Sequence, residues 1–170
     1  TDSVNDPETL DWMNRMRPDL TVVFGTRRLS PKTIEIANLD CLNLHGGNPE
    51  LYRGLDSHYW TIYHSDFENL VTTLHHVDIE YDTGPLVSFK ALSLFPNMEI
   101  HQLRAVNTEA CVELVLNEAR KIDDGRSVSS VPQKEKGRYY SAMPAVLKEE
   151  CMTTFKTLTK SIFNDQDWLK

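Results

Sequence analysis

The chain has little cysteine, and none of it is paired. Cys41, Cys111 and Cys151 are odd in number and widely spaced, which fits neither a disulfide framework nor a Cys-x-x-Cys metal knuckle, so all three are expected as reduced thiols. Long hydrophobic runs are also lacking. The most apolar stretches, residues 20–25 and 39–44, fall far short of the roughly 20 residues that span a bilayer. The N-terminus carries no basic-then-apolar export signal, so the default expectation is a cytoplasmic protein that engages no membrane. Positive charge is in deficit as well. The net charge of −7 argues against non-specific binding of nucleic acid or anionic lipid and leaves a phosphorylated substrate only where cations are local, as at Lys134, Lys136 and Arg138. A phosphate-cradling Gly-x-Gly-x-x-Gly loop is missing too. What remains, 170 residues with 40% hydrophobic and 25% charged content, suits one ordinary domain with a sizeable core.

Local signals place the elements. Asp6-Pro7-Glu8 opens a helix, with Asp6 as cap and Leu10, Trp12, Met13 and Met16 at helical spacing. Residues 20–24 read as a buried strand, Ser30-Pro31 as the start of a short helix, and residues 40–45 as the next strand. A loop rich in glycine follows, then a helix over 57–67 and strands over 71–77 and 85–95. Residues 99–122 form the longest periodic helix, with Leu103, Val106, Ala110, Leu114, Val115 and Ala119 on one stripe. A polar segment, 126–137, leads through Arg138-Tyr139-Tyr140 to a last helix from Ala145 to about Phe163. Strands alternating with helices predict an α/β fold with parallel pairing of the first two strands. A doubly wound sheet normally starts earlier, so its opening strands are expected to lie before Thr1.

Asn43-Leu44-His45 and, further on, Asp82-Thr83-Gly84 put an amide, an imidazole and a carboxylate where strands end. On a strand Asn43 and His45 leave the same face while Leu42 and Leu44 point into packing. Such groups can bind a developing oxyanion and move a proton, and ligands of open α/β sheets sit at the carboxyl ends of strands. His75 and His76 are adjacent and face opposite sides of their strand, so a shared metal site is not expected.

With Tyr52-Arg53-Gly54 and the run from Leu74 through Asp82-Thr83-Gly84-Pro85 to Val87, the chain resembles the formyltransferase family that uses 10-formyltetrahydrofolate. The resemblance covers residues 18–89. It implies a Rossmann-like core with a mostly parallel sheet, whose latter part is residues 1–125 and lacks the N-terminal strands, followed by a small C-terminal extension, 126–170. It also implies that Asn43, His45 and Asp82 stand at the positions of the catalytic triad. Phe24, Arg27, Arg28 and Leu29, with Val77, Asp78 and Glu80, match the folate-binding segments. Members often follow the catalytic histidine with a Ser-Leu-Leu-Pro-like stretch. Here Gly46-Gly47-Asn48-Pro49 stands instead and looks like the branch acting on nucleotide-linked amino sugars.

The reaction so implied is formyl transfer from 10-formyltetrahydrofolate to the amine of such a sugar. Asn43 and His45 would donate to the oxyanion and Asp82 would orient His45 and help remove the amine proton. Gly47, Arg53 and Tyr140 are the candidate acceptor-side residues. Formylation of another small amine, hydrolysis to formate, and a non-catalytic domain that binds folate or a partner remain the alternatives. Exposed strand patterns over 88–95 and a C-terminal aromatic segment are compatible with a homodimer.

Overall fold

The computed structural model describes residues 3–36 and 40–162. Proline in the first turn starts α1 (Pro7–Met16), but Asp6 does not cap it; its Oδ2 accepts the Ser3 N–H at 3.0 Å instead. The strands β1 (Leu20–Phe24) and β2 (Asp40–His45) occupy the predicted residues. Between them Ser30 caps α2 (Pro31–Ile36), its Oγ accepting the Thr33 N–H at 3.2 Å. β3 (Tyr52–Gly54) follows, then α3 (Ser57–Tyr63), β4 (Val71–His76), β5 (Leu86–Ala91), α4 (Leu103–Asp123), β6 (Arg138–Tyr140) and α5 (Ala145–Ser161).

The main sheet has the order β1-β2-β4-β5. β1 and β2 are parallel, as strands joined through a helix should be, but β2–β4 and β4–β5 are antiparallel. The mostly parallel sheet expected from the resemblance is therefore a mixed one. The cause lies after α3. Ser65 takes a left-handed conformation (φ 54) and a 3-10 turn, Phe67–Asn69, reverses the chain, so β4 enters the sheet at the end that β2 has just left, with Thr73 opposite His45. The same reversal ends α3 at Tyr63 rather than Phe67. β1 is less buried than predicted: only Val23 is fully covered and Phe24 is 59% exposed, because the strand stands at the end of the sheet order. β5 stops at Ala91 because its register partner, Val71, is the first residue of β4.

β3 and β6, which local patterning did not show as strands, form a parallel two-stranded sheet. A 3-10 turn, Ile100–Gln102, precedes α4, with the Glu99 N–H donating to Gln102 Oε1 at 2.8 Å. The predicted last-helix residue Phe163 and the C-terminal aromatic segment lie outside the described residues.

Two cores result. On one face of the sheet Leu42, Leu44 and Leu74 pack on Cys111 and Leu114 of α4. A second cluster joins Ile62, Leu70, Leu92 and Met98 to Met143, Cys151 and Phe155, so the segment after residue 125 contributes a fully buried ring. Burying a side chain of that size is worth about 1.5–3 kcal/mol. The predicted α4 stripe buries Leu103, Ala110 and Leu114, and the same helix buries a residue that periodicity did not flag, Glu118. All three cysteines are free and buried, and burial pushes the thiols of Cys41 and Cys151 up to about 11.

Candidate active site

Alternation along β2 sends Leu42 and Leu44 into the α4 cluster and turns Asn43 and His45 to the other face. β4 runs antiparallel beside it with His75 directly opposite Asn43. Asp82, held in the left-handed region at φ 56, completes the group. Its Oδ1 lies 3.4 Å from Asn43 Nδ2, 3.5 Å from His45 Nδ1 and 3.6 Å from His75 Nε2. Its Oδ2 accepts the backbone N–H of Gly54 at 2.8 Å.

Carbonyl partners fix the imidazole protons, since a carbonyl can only accept. His75 Nδ1 lies 2.7 Å from the His76 carbonyl and carries the hydrogen, which leaves Nε2 to accept from Asn43 Nδ2 at 3.1 Å. His45 Nε2 donates to the Tyr52 carbonyl at 2.6 Å, so the Nδ1 lone pair faces Asp82. Burial holds the His45 pKa below its ordinary value, outweighing the nearby Asp82 charge and the Tyr52 carbonyl. Burial acts upward on Asp82, but the His75 ring, His45 and the Gly54 N–H together pull its carboxyl below the usual range. At neutral pH the Asp82 carboxylate therefore faces a neutral His45 imidazole, with the His75 ring and the Asn43 amide beside it.

Backbone freedom supports it at two glycines. Gly54 sits at φ +94, where a Cβ would stand 2.2 Å from the Tyr140 carbonyl oxygen. A Cβ on Gly47 would come within 2.8 Å of Ser57 Cβ and 3.5 Å of His45 Nε2. His58 backs the loop at Gly46: it is half-buried, Nε2 donates to the Val71 carbonyl at 2.7 Å, and loss of solvent pushes its pKa down to about 4.

The other predicted residues divide into those around the cleft and those in packing. The loop after β1 meets the loop after β4 where Arg28 Nε donates to the Ile79 carbonyl at 3.0 Å. Asn5 fixes that first loop by donating to the Arg28 carbonyl at 2.9 Å and accepting the Ser30 N–H at 2.8 Å. Phe24 and Arg27 are exposed. The Leu29 side chain is buried with Val23 and Cys41, and Val77 packs on the same cluster. Asp78 Oδ1 accepts the Ile79 N–H at 2.6 Å, which orders the loop from within. Glu80 is exposed and paired with Lys136, which holds its carboxyl below the ordinary value.

Arg53 donates through Nε to the Gly137 carbonyl at 2.6 Å and through Nη1 to the Tyr81 carbonyl at 3.0 Å. Tyr140 stacks on Tyr52 at 5.6 Å between ring centres and lies 4.9 Å from Trp60, with the Arg138 guanidinium 5.1 Å from its centroid. Both residues therefore hold the 126–140 segment against the site. Lys134, Lys136 and Arg138 do not converge: Lys134 gives its backbone N–H to Glu50, the Lys136 ammonium pairs with Glu80, and the Arg138 guanidinium lies over the Tyr140 ring. Sequence reasoning missed His75 as a member of the group. The signal for it is cross-strand register, which appears only when β2 and β4 are paired.

Residues 1–141 match the formyl transferase family. The methionyl-tRNA formyltransferase of Microcystis aeruginosa is 30% identical over 138 residues, covering 79% of this chain and 41% of the relative. That of Trichlorobacter lovleyi is 27% identical over 162 residues, covering 95% and 50%. The chain thus spans about half the length of the curated relatives it matches. Among solved structures, the formyltransferase PseJ from Anoxybacillus kamchatkensis, in complex with UDP-4,6-dideoxy-4-formamido-L-AltNAc and tetrahydrofolate, superposes with a TM-score of 0.64 at 19% identity, covering 85% of this chain and 78% of that one. At these identities the structural likeness establishes the Rossmann-like fold.

Proposed function

Because the chain belongs to the formyl transferase family, we propose that it transfers a formyl group from 10-formyltetrahydrofolate to the amine of a nucleotide-linked amino sugar, with Asn43, His45 and Asp82 carrying the chemistry. The observation that carries this reading is the convergence of Asn43 and His45 on the Asp82 carboxylate at the end of β2. Folate fits the adjoining surface. Exposed Phe24, Ile79 and Tyr81 offer flat apolar contact, and the Arg28–Ile79 bond joins the two loops that would hold it.

The formyl donor supplies the carbonyl carbon that the amine attacks. Asn43 is the oxyanion donor: its amide hydrogen toward Asp82 spans a long 3.4 Å and can exchange that partner for the developing oxygen, a contact worth about 3–4 kcal/mol in the transition state. His45 has its Nε2 hydrogen committed to Tyr52, so its open Nδ1 suits proton uptake better than oxyanion donation, and Asp82 stabilises the imidazolium that forms. The proton is then available to the departing nitrogen of tetrahydrofolate, which balances the transfer.

A sugar acceptor is supported by Gly46-Gly47 beside His45 and by the net charge of −7, which disfavours a large polyanion. The curated relatives favour a second reading, the amine of methionyl-tRNA. An assay with 10-formyltetrahydrofolate against a panel of nucleotide-linked amino sugars and against methionyl-tRNA separates the two by product. Asp82→Asn is expected to slow transfer at least about a hundredfold. Undiminished turnover in that variant overturns the mechanism, and formate released without an acceptor points to hydrolysis.

A further inference from the structure

On the opposite face of the sheet a groove of about 530 Å3 runs between β5 and α4. Ser88 lines it from the strand; its register partner Leu74 belongs to the cluster with Leu42 and Leu44, so the groove lies across the sheet from Asn43 and His45. Glu118 lines it from the helix. This glutamate is 1% exposed on a helix whose other buried residues are Leu103, Ala110, Cys111 and Leu114. Its Oε1 pairs with Lys121 Nζ at 2.7 Å, but Oε2 is buried and meets no donor of the protein. Ser88 Oγ is buried in the same groove and is likewise unpartnered.

Buried polar atoms without partners are costly, and finding two of them in one groove, on facing walls, points to an external partner. The charges around them narrow its chemistry. Lys90 pairs with Glu113, Lys121 with Glu118 and Arg126 with Asp124, and among the described residues the remaining lining cation, Arg120, forms no ion pair. The groove thus presents one acceptor that needs a donor, one hydroxyl of either sense, and one spare positive charge. Its volume is within the usual range for small-molecule sites. A metal ion is disfavoured because each acidic residue on the wall already has a cation.

We propose that this groove binds a small hydroxylated organic anion of sugar-phosphate size, its hydroxyl groups meeting Glu118 Oε2 and Ser88 Oγ and its anionic end meeting Arg120. The site is separate from the proposed transfer chemistry and does not depend on it.

The test uses three probes on the full chain, followed by amide NMR: glycerol 3-phosphate, inorganic phosphate and glycerol. Glycerol 3-phosphate is expected to shift the amides of Ser88 and Glu118 and to bind about tenfold more tightly than phosphate. Ser88→Ala and Glu118→Leu should each weaken it by about fivefold, leaving phosphate binding unchanged. The serine variant keeps the test valid if the leucine disturbs α4. No shift with glycerol 3-phosphate overturns the proposal, since Glu118 is then a buried structural group. Equal affinity for phosphate and glycerol 3-phosphate, or full affinity in Ser88→Ala, overturns it as well, because surface cations alone would account for binding.

Discussion

Asn43 and His75 are register partners across the antiparallel β2–β4 pair, and the amide donates to His75 Nε2 at 3.1 Å. The ring can accept because its other nitrogen gives its hydrogen to the His76 carbonyl. One hydrogen of the Asn43 amide is therefore pinned from behind, and the second is aimed at Asp82. A strand-to-strand contact thus orients the group proposed to meet the oxyanion.

Removing that acceptor should disturb orientation rather than binding. His75→Leu is expected to lower kcat by about tenfold or more with KM nearly unchanged, because the lost geometry matters only in the transition state. His75→Gln, which restores an acceptor, should recover part of the loss. Steady-state kinetics of both variants check this, and equal losses in the two would assign His75 a packing role only.

Gly54→Ala should fail twice. The new Cβ would collide with the Tyr140 carbonyl oxygen and sit at φ +94, which opens the β3–β6 pairing and draws away the N–H that holds Asp82. Strain of this kind costs about 1–3 kcal/mol before the lost hydrogen bond is counted. Denaturant unfolding should show a loss of at least about 2 kcal/mol, and transfer activity should fall further than stability alone explains.

Much of this was legible from the chain. Residues 20–24 and 40–45 carry strong strand patterns with turn residues beside them, and their helical connection dictates parallel pairing. Asn43 and His45 could be placed on one face by alternation alone. The direction of β4 could not, because it depends on the left-handed Ser65 and a 3-10 turn that no periodicity announces. The same non-local cause hid His75. That the Leu29 side chain packs with Val23 and Cys41 could not be read from the chain, because a loop position says nothing of where its side chain goes. Glu118 was hidden by its own neighbours, since a charged residue at helical spacing ordinarily faces water.

Arg53 is expected to act as a brace. Its guanidinium joins the Gly137 and Tyr81 carbonyls, so it ties the 126–137 segment to the turn that presents Asp82. Arg53→Ala should raise hydrogen exchange and proteolytic cleavage in residues 126–137 and, through Asp82, lower kcat. A rise in acceptor KM with exchange unchanged would instead place Arg53 on the substrate.

Stability should fall as the solution is acidified below about pH 6.5, well before the carboxylates are protonated. His58 is half-buried, and desolvation pushes its folded pKa down to about 4 from an ordinary 6.5. The folded chain therefore binds fewer protons at this ring than the unfolded chain does. Its contribution is complete above the unfolded value and is lost as pH falls toward the folded one, a change of about 3 kcal/mol across that window. Lowered by burial in the same way, His45 steepens the decline. Asp82 has a depressed carboxyl pKa, so its stabilisation is present above the ordinary carboxylate value and disappears at still lower pH. Guanidinium unfolding midpoints from pH 7 down to 4 check the order of events. His58→Gln, which cannot titrate, should flatten the upper part of the profile and leave the acid limb in place; an unchanged slope would mean that His58 is not the group being protonated.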